Sequence, residues 1–285
     1  MSMAMTGAQT AGKTVLIGVM MRAFEHFLNT QHLTVLTPLG NTKARMEETY
    51  PKIFLSGELP GGTPPAQPEP LLWSFSLGGR PYCLALTDAA GEQFEKLTPD
   101  DKSFAYLGTV DLIVSIIDPL KVDSIRALLA GAGVSIPTHS GNDLEVMRKV
   151  IAARAAHAKP GHAQYLGVKL SKFDELQGLR SHPDNMWRGI MNRPGSAMQR
   201  DLSFTSKYDN LQDMMLLQHE LRGLLGQLHG DLLVALAEGS GMAPRLFATS
   251  ALGHRPAWRV HPAGVSPYRV LDLIKALWSI HGIRG

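Results

Sequence analysis

Apolar residues along the chain fall into blocks of two periods. Residues 15–28, running from Val15 through Ile17, Met20, Phe24 and Leu28, are apolar around most of a helical circumference, as expected of a helix laid on a sheet. Residues 110–117 and 165–170 are short Val/Ile/Leu runs that read as buried parallel strands. Residues 71–77 and 82–86 alternate and bracket Gly78-Gly79, the signature of a hairpin. A last strand is predicted at 244–249, a closing helix at 268–280, and further helices at about 41–53 and 142–157. Asp118-Pro119 after the middle strand suits a helix start. Met214, Leu217, Leu221, Leu224, Leu228, Leu232 and Ala235 share one side of a long amphipathic helix, along which Gly223, Gly226 and Gly230 would allow close helix contact. Two stretches carry no period. Residues 57–70 are a Pro/Gly loop, and 181–210 are polar and turn-marked. Alternation of this kind predicts an α/β fold, one sheet covered on both faces.

Before residue 7 there is room only for a short strand, residues 1–6. Such an abrupt start reads as one domain, 1–285, cut from a longer polypeptide, with Met1-Ser2 as vector residues. Composition narrows the function. A 285-residue chain that is 44% hydrophobic can bury one large core or two small ones. Its net charge of +3 is spread without a Lys/Arg run, so no nucleic-acid stripe is indicated. The single cysteine, Cys83, excludes a disulfide framework or a cysteine-rich zinc site and fits a reducing cytoplasm. No signal peptide, lipidation motif or membrane-length apolar run is visible.

Four strings carry chemistry. Gly7-Ala8-Gln9-Thr10-Ala11-Gly12-Lys13-Thr14 spells G-x-x-x-x-G-K-[ST], a phosphate-binding loop. The glycines let the backbone wrap a polyphosphate. The N–H groups from Thr10 to Val15 point inward as the helix begins, Lys13 reaches the β/γ oxygens, and the Thr14 hydroxyl ligates Mg²⁺. Asp88-Ala89-Ala90-Gly91-Glu92 follows the hairpin: a carboxylate there holds Mg²⁺ through water, and the Gly91 N–H can meet the γ-phosphate. The same string is also a common turn. Ser171-Lys172-Phe173-Asp174 follows the 165–170 strand. Its Asp174 can accept both guanine N1–H and the exocyclic amine, with the Lys172 stem over the base, although in isolation the string reads more readily as a helix cap. Ser250-Ala251-Leu252 follows the last strand and offers a backbone N–H to the guanine carbonyl. All four fall at predicted strand ends, where ligands bind open α/β sheets.

In these strings the chain resembles the Ras-like P-loop GTPase family. More narrowly it is similar to the bacterial double-GTPase family of regulatory and conflict systems, through Leu59-Pro60, Thr63, Ile117-Asp118-Pro119 and Ser250-Ala251-Leu252-Gly253. The resemblance implies a P-loop three-layer sandwich of Ras-like topology, with one antiparallel hairpin strand and a helical insertion at about 181–243. It implies a molecular switch that uses GTP and Mg²⁺, releases GDP, and works with a protein effector or activating partner. It also implies a switch threonine that reaches both Mg²⁺ and the γ-phosphate. Thr63 is the match, with Thr34 and Thr37 as alternatives. The metal set is then Thr14, Thr63 and Asp88, and the catalytic set is Lys13, Gln9, Thr63, Gly91 and Glu92.

Three departures bear on turnover. Glu92 stands where a glutamine would orient water, Gln9 stands where the loop often has glycine, and Ser171 replaces Asn or Thr. Slow hydrolysis is expected, because a carboxylate beside the transferring phosphoryl group opposes the charge of the transition state. Two rival readings remain: a nucleotide-gated interaction module with negligible hydrolysis, and an ATPase of another P-loop class.

Overall fold

The computed structural model describes residues 1–61, 67–136, 141–205, 210–255, 260–261 and 264–283. Its elements run β1 (Ser2–Thr6), α1 (Lys13–Thr30), β2 (Thr37–Leu39), α2 (Thr42–Phe54), β3 (Pro70–Leu77), β4 (Arg80–Asp88), α3 (Gly91–Lys96), β5 (Leu112–Ile117) and α4 (Asp123–Gly131). They continue with α5 (Asp143–His157), β6 (Tyr165–Leu170), α6 (Phe173–Leu176), α7 (Asn185–Met191), α8 (Leu211–Gln227), α9 (Asp231–Glu238), β7 (Ala243–Ala248) and α10 (Asp272–Ile280). The seven strands form one sheet in the order β2-β3-β4-β1-β5-β6-β7. β3 runs antiparallel to both neighbours, and the pairings β4–β1, β1–β5, β5–β6 and β6–β7 are parallel.

The order reverses about β1, which lies between β4 and β5, so the crevice beyond its carboxyl end is the natural ligand position. β1 is short but sufficient: Met3, Ala4, Met5 and Thr6 are fully buried between the two helical layers. At its start, the Ser2 N–H and hydroxyl donate to Asp111 Oδ2 at 2.6 and 2.9 Å, which fixes the register against the segment entering β5. One face of the sheet packs on α5 and α8 through Val146, Val150, Leu221 and Leu224. The other packs on α1 and α10, where Phe24, Phe27 and Phe75 gather around Trp278.

Several expectations change. The 214–235 stripe is two helices, because His229 adopts a left-handed φ of 56° and Gly230 starts α9 in a new phase. The buried residues of α9 are Leu233 and Ala237, while Leu232 and Ala235 face solvent. A Cβ at Gly223 would meet nothing, so that glycine marks no close helix contact. The polar 181–210 stretch holds α7, whose Trp187 and Met191 are buried. It is fastened to α10 by Arg269, which is fully buried, ion-paired with Asp213 at 2.7 Å and Asp272 at 2.6 Å, and donates to the carbonyls of Ala197 and Arg200. Asp118 caps only a 3-10 turn, Pro119–Lys121, before α4 begins. The short edge strand β2 has no forerunner in the pattern.

Candidate functional site

β1 ends at Thr6 and the chain turns at once into the glycine-rich loop. Gly7 is tightly packed: a Cβ there would lie 3.2 Å from the Ile116 carbonyl oxygen and 3.3 Å from Ala11 Cβ. Thr10 (φ 62°) and Gly12 (φ 84°) take left-handed backbone, and such reversals turn successive N–H groups toward one centre. For Thr10 this costs roughly 1–2 kcal/mol, strain of the kind a binding loop stores. Lys13 folds into this cradle and donates to the carbonyls of Gly7 at 3.0 Å and Ala8 at 3.2 Å. Burial pushes its ammonium below the ordinary lysine range, against the pull of Asp88 and Asp143. Beside it, the Thr14 hydroxyl donates to Asp88 Oδ2 at 3.0 Å.

Apart from Glu92, the residues that brace the first half of the loop are ones that the sequence did not single out. Asp143, at the start of α5, accepts from the Ala8 N–H at 3.3 Å and the Asp118 N–H at 2.7 Å. Lys121 donates to the Gln9 carbonyl at 2.8 Å and lies 3.5 Å from Asp143, both side chains being 3% exposed. On the other flank, Glu95 accepts from the Gln9 N–H and Glu92 from the Gln9 side-chain amide, each at 3.0 Å. Gly91 rests directly on the loop: a Cβ there would lie 2.4 Å from Gln9 N and 2.5 Å from Gln9 Cα. The two departures Gln9 and Glu92 are thus bonded to each other.

At the far side of the crevice, Leu170 ends β6 and the next four residues form the base-loop candidate. Ser171 is buried, and its hydroxyl donates to the Ile117 carbonyl at 3.0 Å. Lys172 takes left-handed backbone (φ 49°) and pairs with the fully buried Asp118 at 2.6 Å. Phe173 stacks on Tyr268 and its N–H donates to the Thr249 carbonyl, tying the loop to the end of β7. Asp174 is half-buried. Glu175 receives Arg255 through two donors, at 2.5 and 2.7 Å, which clamps the 250–255 segment against the base loop. Within that segment, Ser250 Oγ accepts from the Gly253 N–H at 2.9 Å, and Leu252 is buried with Val19 and Ile53 beside half-buried Ala251 and Val15. Both candidate loops therefore stand at one end of the sheet, with Asp118, Lys121 and Asp143 between them.

No family model matches the chain. Over 295 aligned residues it is 32% identical to "Putative ESX-1 scaffolding and assembly protein SaeC" of Mycolicibacterium smegmatis, across 98% of this chain and 74% of that protein. The chain belongs to the SaeC family. Among solved structures it is similar to the Ski7 GTPase-like domain of S. cerevisiae, bound to GTP, at 12% identity and a TM-score of 0.44. That match covers all of this chain but only 51% of the Ski7 chain.

In this SaeC-family chain, Thr14 and Asp88 supply hard oxygen donors side by side next to the Lys13 ammonium, which suits Mg²⁺ held jointly with phosphate oxygens. No group of three or more His, Cys, Asp or Glu able to hold a metal occurs among the described residues. A site that takes most of its ligands from nucleotide and water needs none. Thr63 lies outside the described residues. Thr34 and Thr37 are engaged at the far sheet edge: Thr34 Oγ1 accepts from the Ser76 N–H, and Thr37 pairs with Ser74. No helix among the described residues is long and apolar enough to cross a membrane.

Proposed function

We propose that this chain is a guanine-nucleotide switch domain that binds GTP with Mg²⁺ and hydrolyses it slowly to GDP. The observation that carries the reading is the Thr14–Asp88 pair beside the buried Lys13, one crevice away from the Ser171–Asp174 loop. In this reading Thr10, Ala11, Gly12, Lys13, Thr14 and Val15 hold the phosphates. Lys172, Asp174 and the Ser250–Leu252 backbone hold the base, and Thr14, Asp88 and Thr63 hold the ion. Mg²⁺ held there would supply charge neutralisation to the transferring phosphoryl group. Lys13 leaves its two loop carbonyls for the phosphate oxygens, a stronger acceptor for an ammonium. Gly91 swings off Gln9 to donate to the γ-phosphate, and Glu92 and Glu95 give up their bonds to Gln9 as it does. That coupling makes α3 the element that reports the nucleotide.

The narrower kinship with bacterial double GTPases belongs to this proposal, supported by Ile117-Asp118-Pro119 and the Ser250–Gly253 turn. So does action in the cytoplasm, supported by the lone Cys83. A second reading, a nucleotide-gated scaffold with negligible turnover, is favoured by Glu92, whose carboxylate holds Gln9 where a neutral amide would orient water. The name of the SaeC relative supports protein partners in either reading. Single-turnover phosphate release from GTP separates them. The switch reading predicts slow release that quickens in Glu92→Gln. Release indistinguishable from buffer in both proteins would leave the scaffold. Faster turnover by the wild type than by Glu92→Gln would make Glu92 a working catalytic group.

A further inference from the structure

Lys169 is a buried lysine whose ammonium bonds to none of the described residues. It sits on β6 opposite Ile116 of β5 and Phe247 of β7, is 2% exposed, and makes no hydrogen bond or ion pair among the described residues. Its neighbours in sequence, Val168 and Leu170, pack into the α5/α8 core, so Lys169 and Ser171 share the opposite face. The charged groups it feels are Asp118, Lys172 and Asp174, all at the carboxyl end of the sheet. Those charges point to a side chain directed up the strand toward the base loop. An extended lysine spans about 6 Å, close to the ~6.6 Å rise of two strand residues, which is long enough for the ammonium to reach the level of Ser171. Ser171 cannot serve a ligand at that place, since it is short and its hydroxyl is committed to the Ile117 carbonyl.

A buried polar group without a partner is costly, and an unpaired buried charge more so. Burial accordingly lowers the Lys169 ammonium to about 7, and an acceptor brought within reach would favour its charged form. The phosphate end of the crevice already has Lys13 and Lys121. At the base end, Lys172 and Arg255 are held by Asp118 and Glu175. Asp174 can read the N1–H and exocyclic amine of guanine, but the other edge of the ring presents an acceptor, N7, and the base loop's own donors are engaged, Ser171 with the Ile117 carbonyl and Lys172 with Asp118. We propose that Lys169 donates to N7 of the guanine whose Watson–Crick edge is read by Asp174, a base-recognition contact supplied from within the strand instead of from the loop after it. The inference rests on the guanine-nucleotide reading above.

The test compares GDP with 7-deaza-GDP, which replaces N7 by C–H and keeps the edge facing Asp174. Loss of one charge-assisted hydrogen bond predicts that the wild type binds 7-deaza-GDP roughly ten- to a hundredfold more weakly than GDP. Lys169→Met, of similar length and apolar, should bind the two equally and match the wild type on 7-deaza-GDP. A merely structural lysine would change affinity for both nucleotides alike. Equal wild-type affinities, or discrimination that survives in Lys169→Met, overturns the proposal while leaving guanine binding intact. If the variant does not fold, the wild-type pair of affinities still decides. Failure of the wild type to bind GDP at all overturns the nucleotide reading and this inference with it.

Discussion

Removing the Asp143 carboxylate should strike the phosphate loop from behind, at a residue that would touch no nucleotide. In Asp143→Ala the Ala8 and Asp118 N–H groups lose their acceptor, and the Lys121 ammonium keeps only the Gln9 carbonyl. Because both members of the ion pair are 3% exposed, water cannot replace what is lost without opening the site. Breaking a buried pair by removing one partner costs about 3–5 kcal/mol. For a domain of this size that is a fall in melting temperature of roughly 10 °C. The loop also loses its brace at Ala8 and Gln9, so nucleotide affinity should drop about tenfold through lost preorganisation. Thermal and urea melts of Asp143→Ala, Lys121→Met and the double variant form the assay. The double variant should be more stable than the sum of the singles predicts, because Lys121→Met removes the stranded charge. A loss below ~0.5 kcal/mol in Asp143→Ala, or strict additivity, refutes the bracing argument.

The remaining predictions follow from the same geometry. In Gly91→Ala the new methyl meets only backbone, Gln9 N at 2.4 Å and Ala8 C at 2.7 Å, so α3 must lift from the loop at a cost of about 1–3 kcal/mol. Exchange of the Gln9 amide hydrogen, held by Glu95 in the wild type, should then accelerate; unchanged protection contradicts the contact. Lys169 titrates at about 7 when folded, below its ordinary 10.5, so the unfolded chain binds more protons between those values and stability should rise with pH across that window. Lys169→Met should be more stable than the wild type at pH 7, on the order of a few kcal/mol, with a flatter profile above it, as read by denaturant midpoints. A wild-type profile that is level from pH 7 to 10, or falls, removes the support.

Much of the fold was legible because parallel strands are written as uninterrupted apolar runs. Residues 165–170 were read to the residue, and β5 lost only Val110 and Asp111 from the predicted span. The candidate loops were legible from their own residue spacing, and each falls at a strand end, where the sheet brings them together. What escaped depends on phase and distance. The apolar stripe through Leu228 and Leu232 keeps its period across the helix break, and only the left-handed turn at His229 rotates Leu233 inward. Asp143 meets Ala8 across 135 residues, and in sequence it looks like any acid in a first helical turn. Lys169 carried no sign at all, since a lysine within a strand ordinarily faces solvent.

Affinity for GDP against ADP, measured by calorimetry on nucleotide-stripped protein with Mg²⁺, bears most directly on the central claim. The account predicts firm GDP binding, ADP binding weaker by at least roughly a hundredfold because adenine offers Asp174 no N1–H, and loss of both in Lys13→Ala. Equal affinity for the two would sink the guanine assignment, and GDP binding that survives Lys13→Ala undiminished would contradict the phosphate-loop site itself.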